Sequence, residues 1–363
     1  MSSFPTQTQA ELKALLLAAL RNHITGLDTS DRSDAAIKAG ALAHVLEGLY
    51  GRVDWTGDQV FPDSASSANL ERHADARGLS RLAATTSEGT VAFTGTTGTP
   101  IPIGTSFTKS DGWEYQTTTA AVWVGGDATA EAVAVEAGVD GNVSTGEAFT
   151  LSAPIAGVDS ECEAGTDFTG GTDIETDAAL LQRLLDNLRS PPAGGTAEDW
   201  RQWAQSVDGV TEAYSHPLRR GPGTIDVTVF TAGPDGDRAL PGAALITSVE
   251  TYVETVRPIT VGSYQIVTAT EVATDVTVDD LDVEDGYVEA DVQAAVESAI
   301  AGVFPTLAPG ETLYVTSHLH EAINAVAGVL DYTLTAPAAN VTATIDASDV
   351  EVLTAGTVTV NLP

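Results

Sequence analysis

The sequence predicts an α+β chain of several domains: a helical N-terminal region, a small antiparallel β domain, then two α+β modules. Apolar residues recur at helical spacing over the first 80 or so positions, and period-two alternation begins near Gly89. Helical spacing returns at Leu180 and then alternates with short strands. With 363 residues the chain is long enough for several modules. We place the domains at residues 1–86, 87–172, 173–270 and 271–363.

The charge balance is strongly acidic. The chain has 51 Asp and Glu residues against 16 Lys and Arg, which gives a formal net charge of −35. Such an excess repels nucleic-acid phosphates and anionic lipid, so we expect neither nucleic-acid binding nor membrane insertion. The acidic residues are spread over every segment, as expected of a protein adapted to high salt, where carboxylate repulsion is screened. We therefore infer a halophilic, archaeal source.

Cysteine content and the N-terminal segment indicate where the protein is made. Cys162 is the only cysteine, which excludes an intramolecular disulfide and a thiolate metal cluster. The apolar run LLLAAL is too short for a membrane span and no basic segment precedes it. We expect a soluble protein made in the cytoplasm.

Three helices are predicted in the N-terminal region. The first has the apolar series Leu12, Leu15, Leu16 and Leu20. The second follows the start signal SDRSD and has the series Ile37, Leu42, Val45, Leu46 and Leu49. The third is SSANLERHADARG, which ends at Gly78.

The β domain is predicted from short alternating runs rich in Thr, Gly, Val and Ala. These runs are TVAFTG, PIPIGTSF, EYQTT, AAVWV, AEAVAVEAG and AFTL. Because Gly and Asp-Gly turns separate them, we expect antiparallel pairing up to about residue 172.

The stretch RSPPAGGTAEDW separates two helices. Helical spacing over residues 180–188 must end before Pro191 and Pro192, which cannot continue a helix. Gly194 and Gly195 allow the backbone to reverse. The stretch is therefore expected to fix the angle at which the next helix leaves.

The next helix begins with a capping pair and two tryptophans. Thr196 and Asp199 have the spacing of a capping box. Trp200, Trp203 and Val207 fall on one helical face. We favour core packing for the two tryptophans, and the alternative is that they anchor a subunit contact.

A hairpin with two arginines follows this helix. The strands TEAYSHP and IDVTVF are joined by the tip LRRGPGT, which contains Arg219 and Arg220. We favour a solvated turn, and the alternative is that the arginines pair with an acidic neighbour. A further helix, with the apolar face Leu245, Ile246, Val249, Tyr252, Val253 and Val256, ends at Arg257-Pro258.

The C-terminal third repeats this plan in outline. It contains the strand ATDVTVDDLDV, the helix VEADVQAAVESAIAGV and the strand GTVTVNL. WRQWAQSVDGVTEAY aligns without a gap on LHEAINAVAGVLDYT, and in both a helix ends at a Gly before a strand. We interpret this region as a second α+β unit of the same kind.

The search for catalytic and metal motifs is negative. GxSxG, GxxxxGK[ST], HExxH and CxxC are all absent from the sequence. His318 and His320 are two residues apart at a helix start and do not face each other, so we favour a surface or capping role over a ligand pair. In VDDLDVEDG, Gly286 comes one position too late for a calcium loop, so we favour a solvated strand end. We predict no catalytic residue, no cofactor and no metal site.

Several motifs in this order resemble the baseplate J-like proteins of contractile tails. Leu70, Gly78 and Arg81 precede the β domain, and the Gly-Gly-x-Asp-x-Glu segment at residues 170–175 follows it. A Pro-x-Gly-Gly helix start with an aromatic residue comes next, and then Gly-Val before a strand. The resemblance runs from about residue 10 to the end and is most specific in the middle. The chain is more acidic than bacterial members, which suits a virus of a halophilic archaeon.

This resemblance implies a structural role. Such proteins are wedge components that connect the central hub and spike to the sheath-initiating part of the baseplate and rearrange on contraction. The implied partners are hub, sheath-initiator-like and other wedge proteins, with self-association in a sixfold ring, in a virion assembled in the host cytoplasm. Two other classes stay open: a receptor-binding or adhesin tail protein, expected to be mostly β with repeats, and a tail-associated hydrolase, which needs a catalytic constellation.

The charge predicts a dependence on salt. On dialysis from molar to about 0.1 M salt the screening length grows from about 3 Å to about 10 Å, so the protein should lose compactness and melt at a lower temperature. Circular dichroism across this range measures the change. Melting that is unchanged in low salt would contradict the halophilic source.

Overall fold

The structure is a computed structural model that describes residues 7–124, 126–189, 194–234, 237–259 and 261–363. Pro191 and Pro192, predicted to separate two helices, lie outside the described residues. The chain divides into two compact units. The first consists of Met1–Ser80 and Thr176–Asp186, and the second of Arg81–Glu175 and Asn187–Pro363.

Helices form the first unit. They are α1 (Gln9–His23), α2 (Asp34–Asp58), α3 (Ser67–Asp75) and the first turns of α4 (Asp177–Arg189). Thr8 and Glu11 make a capping box for α1, and the Ser33 side chain caps α2 by accepting from the Ala36 N–H. A small core between α3 and α4 contains Leu70, Ala74, Leu180 and Leu184. The predicted helices are therefore present.

A closed antiparallel barrel begins the second unit. Its strands are β1 (Glu88–Gly95), β2 (Ser106–Lys109), β3 (Glu114–Thr117), β4 (Val122–Val124), β5 (Asp127–Ala134), β6 (Ala148–Leu151) and β7 (Val158–Ala164). The strand order is β1-β7-β6-β2-β3-β5, β5 pairs back to β1, and β4 adds to β5. The ring is filled by aromatic residues, namely Phe93, Phe107, Tyr115, Phe149 and Phe168.

A central module with a mixed sheet follows. It contains α5 (Ala197–Ala204), β8 (Glu212–Pro217), β9 (Thr224–Ala232), β10 (Arg238–Ala239), α6 (Ala243–Val256) and β11 (Ser263–Val267). β9 is the central strand and pairs antiparallel to β8 and parallel to β11. Its residues 225–232 are all buried, so both faces of this strand are covered.

The C-terminal module has the same kind of sheet. It contains β12 (Thr270–Val283), α7 (Glu289–Ala301), β13 (Thr312–Leu313), α8 (His320–Asn324), β14 (Val329–Ala336), β15 (Val341–Thr342) and β16 (Glu351–Val360). The central strand β12 pairs antiparallel to β14 and parallel to β16. The helix–glycine–strand unit precedes the central strand in the first module and follows it in the second. Gly209 and Gly328 have φ of 88° and 92° but lie in the turns before β8 and β14. Since α5 ends at Ala204 and α8 at Asn324, the expectation that these glycines end the helices was wrong.

The architecture matches the predicted fold class, α+β with a helical N-terminal region, a β domain and two mixed modules. Within the described ranges, no helix is both long and apolar enough to cross a membrane.

Candidate assembly site in the central module

The start of α5 is fixed by backbone geometry and a capping box. Gly194 and Gly195 have φ of 93° and 113°, where residues with a Cβ are strained. A Cβ on Gly195 would also lie 2.8 Å from Cγ of Pro258, whereas Gly194 faces open space. Asp199 Oδ2 accepts from the N–H groups of Gly195 (2.7 Å) and Thr196 (2.9 Å), and Thr196 Oγ1 accepts from the Asp199 N–H. The direction of α5 is therefore determined by its first residues.

Trp200 lies in the core of the module. Its side chain is fully buried, and its ring centroid is 5.4 Å from that of Trp203 and 5.3 Å from that of Tyr264. The indole N–H has no acceptor within the described part of the chain. Trp203 is half-buried and packs against the same cluster. Of the two roles that the sequence left open for Trp200, this burial supports core packing.

Arg219 and Arg220 are not in a solvated turn, and that part of the sequence interpretation was wrong. Both bind the carboxylate of Asp226, which is completely buried. Arg219 Nε donates to Oδ2 at 2.7 Å, and Arg220 donates through Nη2 to Oδ1 at 2.7 Å and through Nε to both oxygens. The Arg219 side chain is 5% exposed and that of Arg220 is 23% exposed. The structure instead shows the alternative, in which both arginines pair with an acidic neighbour.

The turn that contains these arginines begins with a residue in the left-handed backbone conformation. Leu218 has φ of 62°, its N–H donates to the Thr224 carbonyl, and its own carbonyl accepts from Gly221. From this turn Arg220 Nη2 reaches Ser263 Oγ at 3.2 Å, and Arg219 Nη1 donates to the Asp346 carbonyl at 3.0 Å. The arginines thus connect the hairpin to β11 and to the C-terminal module.

Burial and charge act in opposite directions on the pKa of Asp226. Burial disfavours its ionised form, but the hydrogen bonds from Arg220 and Arg219 outweigh burial and hold its pKa below the ordinary value of 3.8. His216 lies opposite Asp226 on β8 and donates to or accepts from Thr228 Oγ1 at 3.0 Å. Burial, with the nearby Arg219 charge, lowers the pKa of His216 to about 4. The cluster therefore contains an ionised carboxylate beside a neutral imidazole at neutral pH.

Sequence reasoning missed a third arginine, Arg238. Its Nη2 donates to Glu212 Oε2 and to Tyr214 Oη, and its guanidinium lies 4.7 Å from the Phe230 ring centroid. Its Nη1 donates to the Leu307 carbonyl in the C-terminal module at 2.6 Å. No local pattern marks this residue, because its partners are 24 to 69 positions away.

The Gly-Gly-x-Asp-x-Glu segment joins the barrel to the central module. Gly171 has no room for a side chain, since a Cβ would lie 2.5 Å from the Gly138 carbonyl oxygen. The buried Asn142 amide donates to the carbonyls of Gly171 (2.9 Å) and Gly233 (3.1 Å) and accepts from the Gly171 N–H. Asp173 accepts from the Val139 N–H at 3.0 Å. These contacts explain why Gly, Asp and Asn occur here.

The histidines and the acidic strand end considered as ligand candidates are hydrogen-bonded to neighbouring protein groups. His320 Nδ1 is 2.7 Å from Tyr332 Oη, and His318 Nδ1 accepts from the Tyr314 N–H. Asp279 accepts from Asn361 and Thr335, and these hydrogen bonds lower its pKa. No cluster of three or more His, Cys, Asp or Glu able to hold a metal occurs among the residues described.

Cys162 points into the barrel core. Burial raises the pKa of its thiol to about 12, so the thiolate needed for nucleophilic chemistry is not formed at neutral pH.

The two groups of predicted residues meet at the start of β11. Ser263 accepts from Arg220, and the ring of Tyr264 packs on Trp200. This end of the sheet is a structural joint, built from a glycine turn, an aromatic core and a buried ion cluster.

Family comparisons match the second unit in three consecutive parts. The barrel domain of baseplate J-like proteins matches residues 90–171, the Baseplate J-like central domain matches 192–269 and the C-terminal domain matches 274–361. The chain belongs to the baseplate J-like family. The domain boundaries drawn from the sequence stay predictions.

Individual relatives come from a phage and a prophage. Baseplate protein gp47 of Escherichia phage Mu is 35% identical over 191 residues, which are 52% of this chain and 53% of the relative. The Mu-like prophage FluMu protein gp47 of Haemophilus influenzae is 32% identical over 235 residues, 64% of this chain and 62% of the relative. This chain thus spans between about half and three fifths of the length of these baseplate J-like relatives.

One solved structure with a similar chain is the sixfold-symmetrised cryo-EM structure of the anti-feeding prophage baseplate. The similarity covers 97% of this baseplate J-like chain and 94% of the anti-feeding prophage chain. The TM-score is 0.36 and the sequence identity is 14%.

The buried imidazole predicts a pH dependence of stability. The folded pKa of His216 is about 4 and the ordinary value is 6.5, so the unfolded chain takes up the proton first and stability falls as the pH drops from 6.5 to about 4. The lost free energy is roughly 3 kcal/mol. Denaturant unfolding in molar salt at several pH values measures it. His216→Gln should remove this loss between pH 6.5 and 5, while the exposed control His44→Gln should keep it. Parallel curves for wild type and His216→Gln would contradict the assignment.

Proposed function

We propose that this protein is a structural component of the baseplate of a contractile tail. The observation that carries the proposal is the match of three baseplate J-like domains, in order, over residues 90–361. The name of one relative, baseplate protein gp47 of Escherichia phage Mu, agrees with it.

The more specific role that we propose is that of a wedge subunit. It connects the central hub and spike to the sheath-initiating part of the baseplate, associates with itself in a sixfold ring and rearranges when the tail contracts. The joints described above support a body that transmits force without deforming. Asn142 connects the barrel to the central module, and Arg219 and Arg238 connect the central to the C-terminal module. A subunit that moves as one piece needs such connections between its domains.

We further propose that the protein resides in the virion of a virus that infects a halophilic archaeon and is assembled in the host cytoplasm. The net charge of −35 supports this source, because an acidic surface of this density is soluble and compact only where salt screens it.

We propose a non-enzymatic role. The described residues contain no grouped metal ligands, and the lone thiol is buried in the barrel. Robust turnover of glycans or peptides by the purified protein, abolished by one carboxylate substitution, would contradict this part.

Co-expression in molar salt tests the proposal. The protein should co-purify with hub, sheath-initiator-like or other wedge subunits encoded beside it, because its phage Mu relative is a baseplate protein. Size-exclusion chromatography and sedimentation of the tagged chain measure the complexes. A wild-type chain that is strictly monomeric and binds none of the co-expressed baseplate subunits would overturn the assignment.

A further inference from the structure

A slot between the central and C-terminal modules is bordered by the edges of two sheets. It has a volume of about 330 Å³ and is lined by consecutive residues at two strands, 237–239 at β10 and 352–355 in β16. Since alternate side chains of a strand point to opposite faces, a cavity that touches consecutive residues meets the edge of the strand. β10 and β16 are outer strands of their sheets, and among the described strands none pairs with either of them at the slot.

The backbone of β16 presents unpaired groups to this slot. The Glu351 N–H donates away from β12, to the Thr344 carbonyl. Because successive residues of a strand direct their hydrogen bonds to opposite sides, Leu353 and Ala355 direct their N–H and carbonyl groups away from β12 as well. Within the described part of the chain, these groups have no hydrogen-bond partner. The slot thus has donors and acceptors at the spacing of a strand edge.

Arg238 supplies the opposite side of the slot. The Ala232 carbonyl accepts from the Gly170 N–H, so Ala232 bonds away from β10, and Arg238, directly opposite, directs its own backbone groups away from β9. The Arg238 side chain is 8% exposed, and its Nε has no acceptor within the described ranges. A buried donor without an acceptor is unfavourable. Since both Nη atoms are bound elsewhere, Nε is the part of the guanidinium left for an occupant.

The walls of the slot select the chemistry of this occupant. Phe230, Phe304 and Pro305 make its apolar walls, and two exposed carboxylates, Asp237 and Glu271, also line it. These carboxylates repel an anion, and they favour Lys or Arg beside an inserted segment. The acceptor that suits Nε here is therefore a neutral carbonyl, such as that of a peptide backbone. A second copy of this chain, with its net charge of −35, does not suit the acidic rim.

The volume of the slot suits a short strand. Three residues of extended chain are about 10 Å long, and a strand occupies about 4.8 Å between its neighbours. A cavity of about 330 Å³ with these two dimensions is about 7 Å deep. This depth accommodates a backbone with small side chains.

We propose that the slot binds an extended segment of another baseplate subunit, which pairs as a strand with the edges of β16 and β10. The centre of the segment is uncharged, and one of its carbonyls accepts from Arg238 Nε. Lys or Arg flanks this centre, beside Asp237 and Glu271. This inference rests on the proposed function, since it names the surface that holds a baseplate partner. The inserted strand connects the sheets of the two modules.

Co-purification of the tagged full chain with the baseplate subunits encoded beside it, in molar salt, tests this proposal. Ala355→Pro removes one outward N–H and keeps the pairing with β12, and Thr354→Trp fills the slot with a ring. Each should weaken binding by about tenfold, as measured by sedimentation. The matched controls are Ala355→Ser, which keeps the N–H, and Thr357→Trp, an exposed position of β16 outside the slot. Both should bind as the wild type does.

Hydrogen exchange of the same complex shows whether the partner pairs as a strand. The amides of Leu353 and Ala355 should exchange more slowly in the complex than in the chain alone, because a paired strand covers them. Circular dichroism verifies that each variant is folded, and Thr354→Trp decides the test if Ala355→Pro does not fold.

Each of the other outcomes overturns a distinct statement. If the complex forms equally well with both slot variants, the inference is wrong and the proposed function stands. If these variants weaken binding but exchange at residues 353–355 is unchanged, strand pairing is wrong. Self-association of the wild type that Thr354→Trp abolishes would make the occupant a second copy. A chain that binds no baseplate subunit contradicts both the inference and the proposed function.

Discussion

The buried carboxylate of Asp226 imposes the strongest constraint on the second unit. It lies on β9, whose residues 225–232 are inaccessible on both faces, and a charge placed there must be paired or lose much of its solvation energy. Two guanidinium groups satisfy it, although the whole chain has only 16 basic residues. Because these arginines come from the hairpin before β9, the ion cluster also fixes that hairpin. It then extends to Ser263 on β11 and to the Asp346 carbonyl.

The connections between modules of the second unit are side-chain donors that bind backbone carbonyls. Asn142 donates to the Gly233 carbonyl and Arg238 to the Leu307 carbonyl, just as Arg219 donates to that of Asp346. A backbone carbonyl does not titrate, and buried donors are little affected by salt. The three acceptors therefore do not titrate, although the connection at Asp346 is exposed to solvent and salt.

Local signals predicted most elements of the fold. The Thr196–Asp199 capping box and the paired glycines mark the start of α5, and the alternating runs mark most barrel strands. The sequence did not indicate β7 or the closure of the barrel, since the pairing of β1 with both β5 and β7 joins segments far apart in the chain.

The candidate site was harder to predict than the fold. Alternation in IDVTVF places Ile225, Val227 and Val229 on one face of the strand and says nothing about what covers the other face, where Asp226 lies. The reverse face of β9 is in fact covered too: Phe230 on that face packs with Val352 of the C-terminal module. Asp226 lies on this covered face, and its burial next to Arg219 and Arg220 makes the hairpin part of an ion cluster. Arg238 was missed for the same reason, because its partner Leu307 is 69 residues away.

The central claim is that the Asp226 cluster holds the central and C-terminal modules together. Hydrogen exchange and denaturant unfolding of Asp226→Asn, with the exposed control Asp127→Asn, test it most directly in molar salt. The account predicts a loss of about 3 to 5 kcal/mol of unfolding free energy, with faster amide exchange both in the hairpin at residues 218–226 and across the joint at residues 346–351. A loss below about 1 kcal/mol, with exchange at residues 346–351 unchanged, would contradict it.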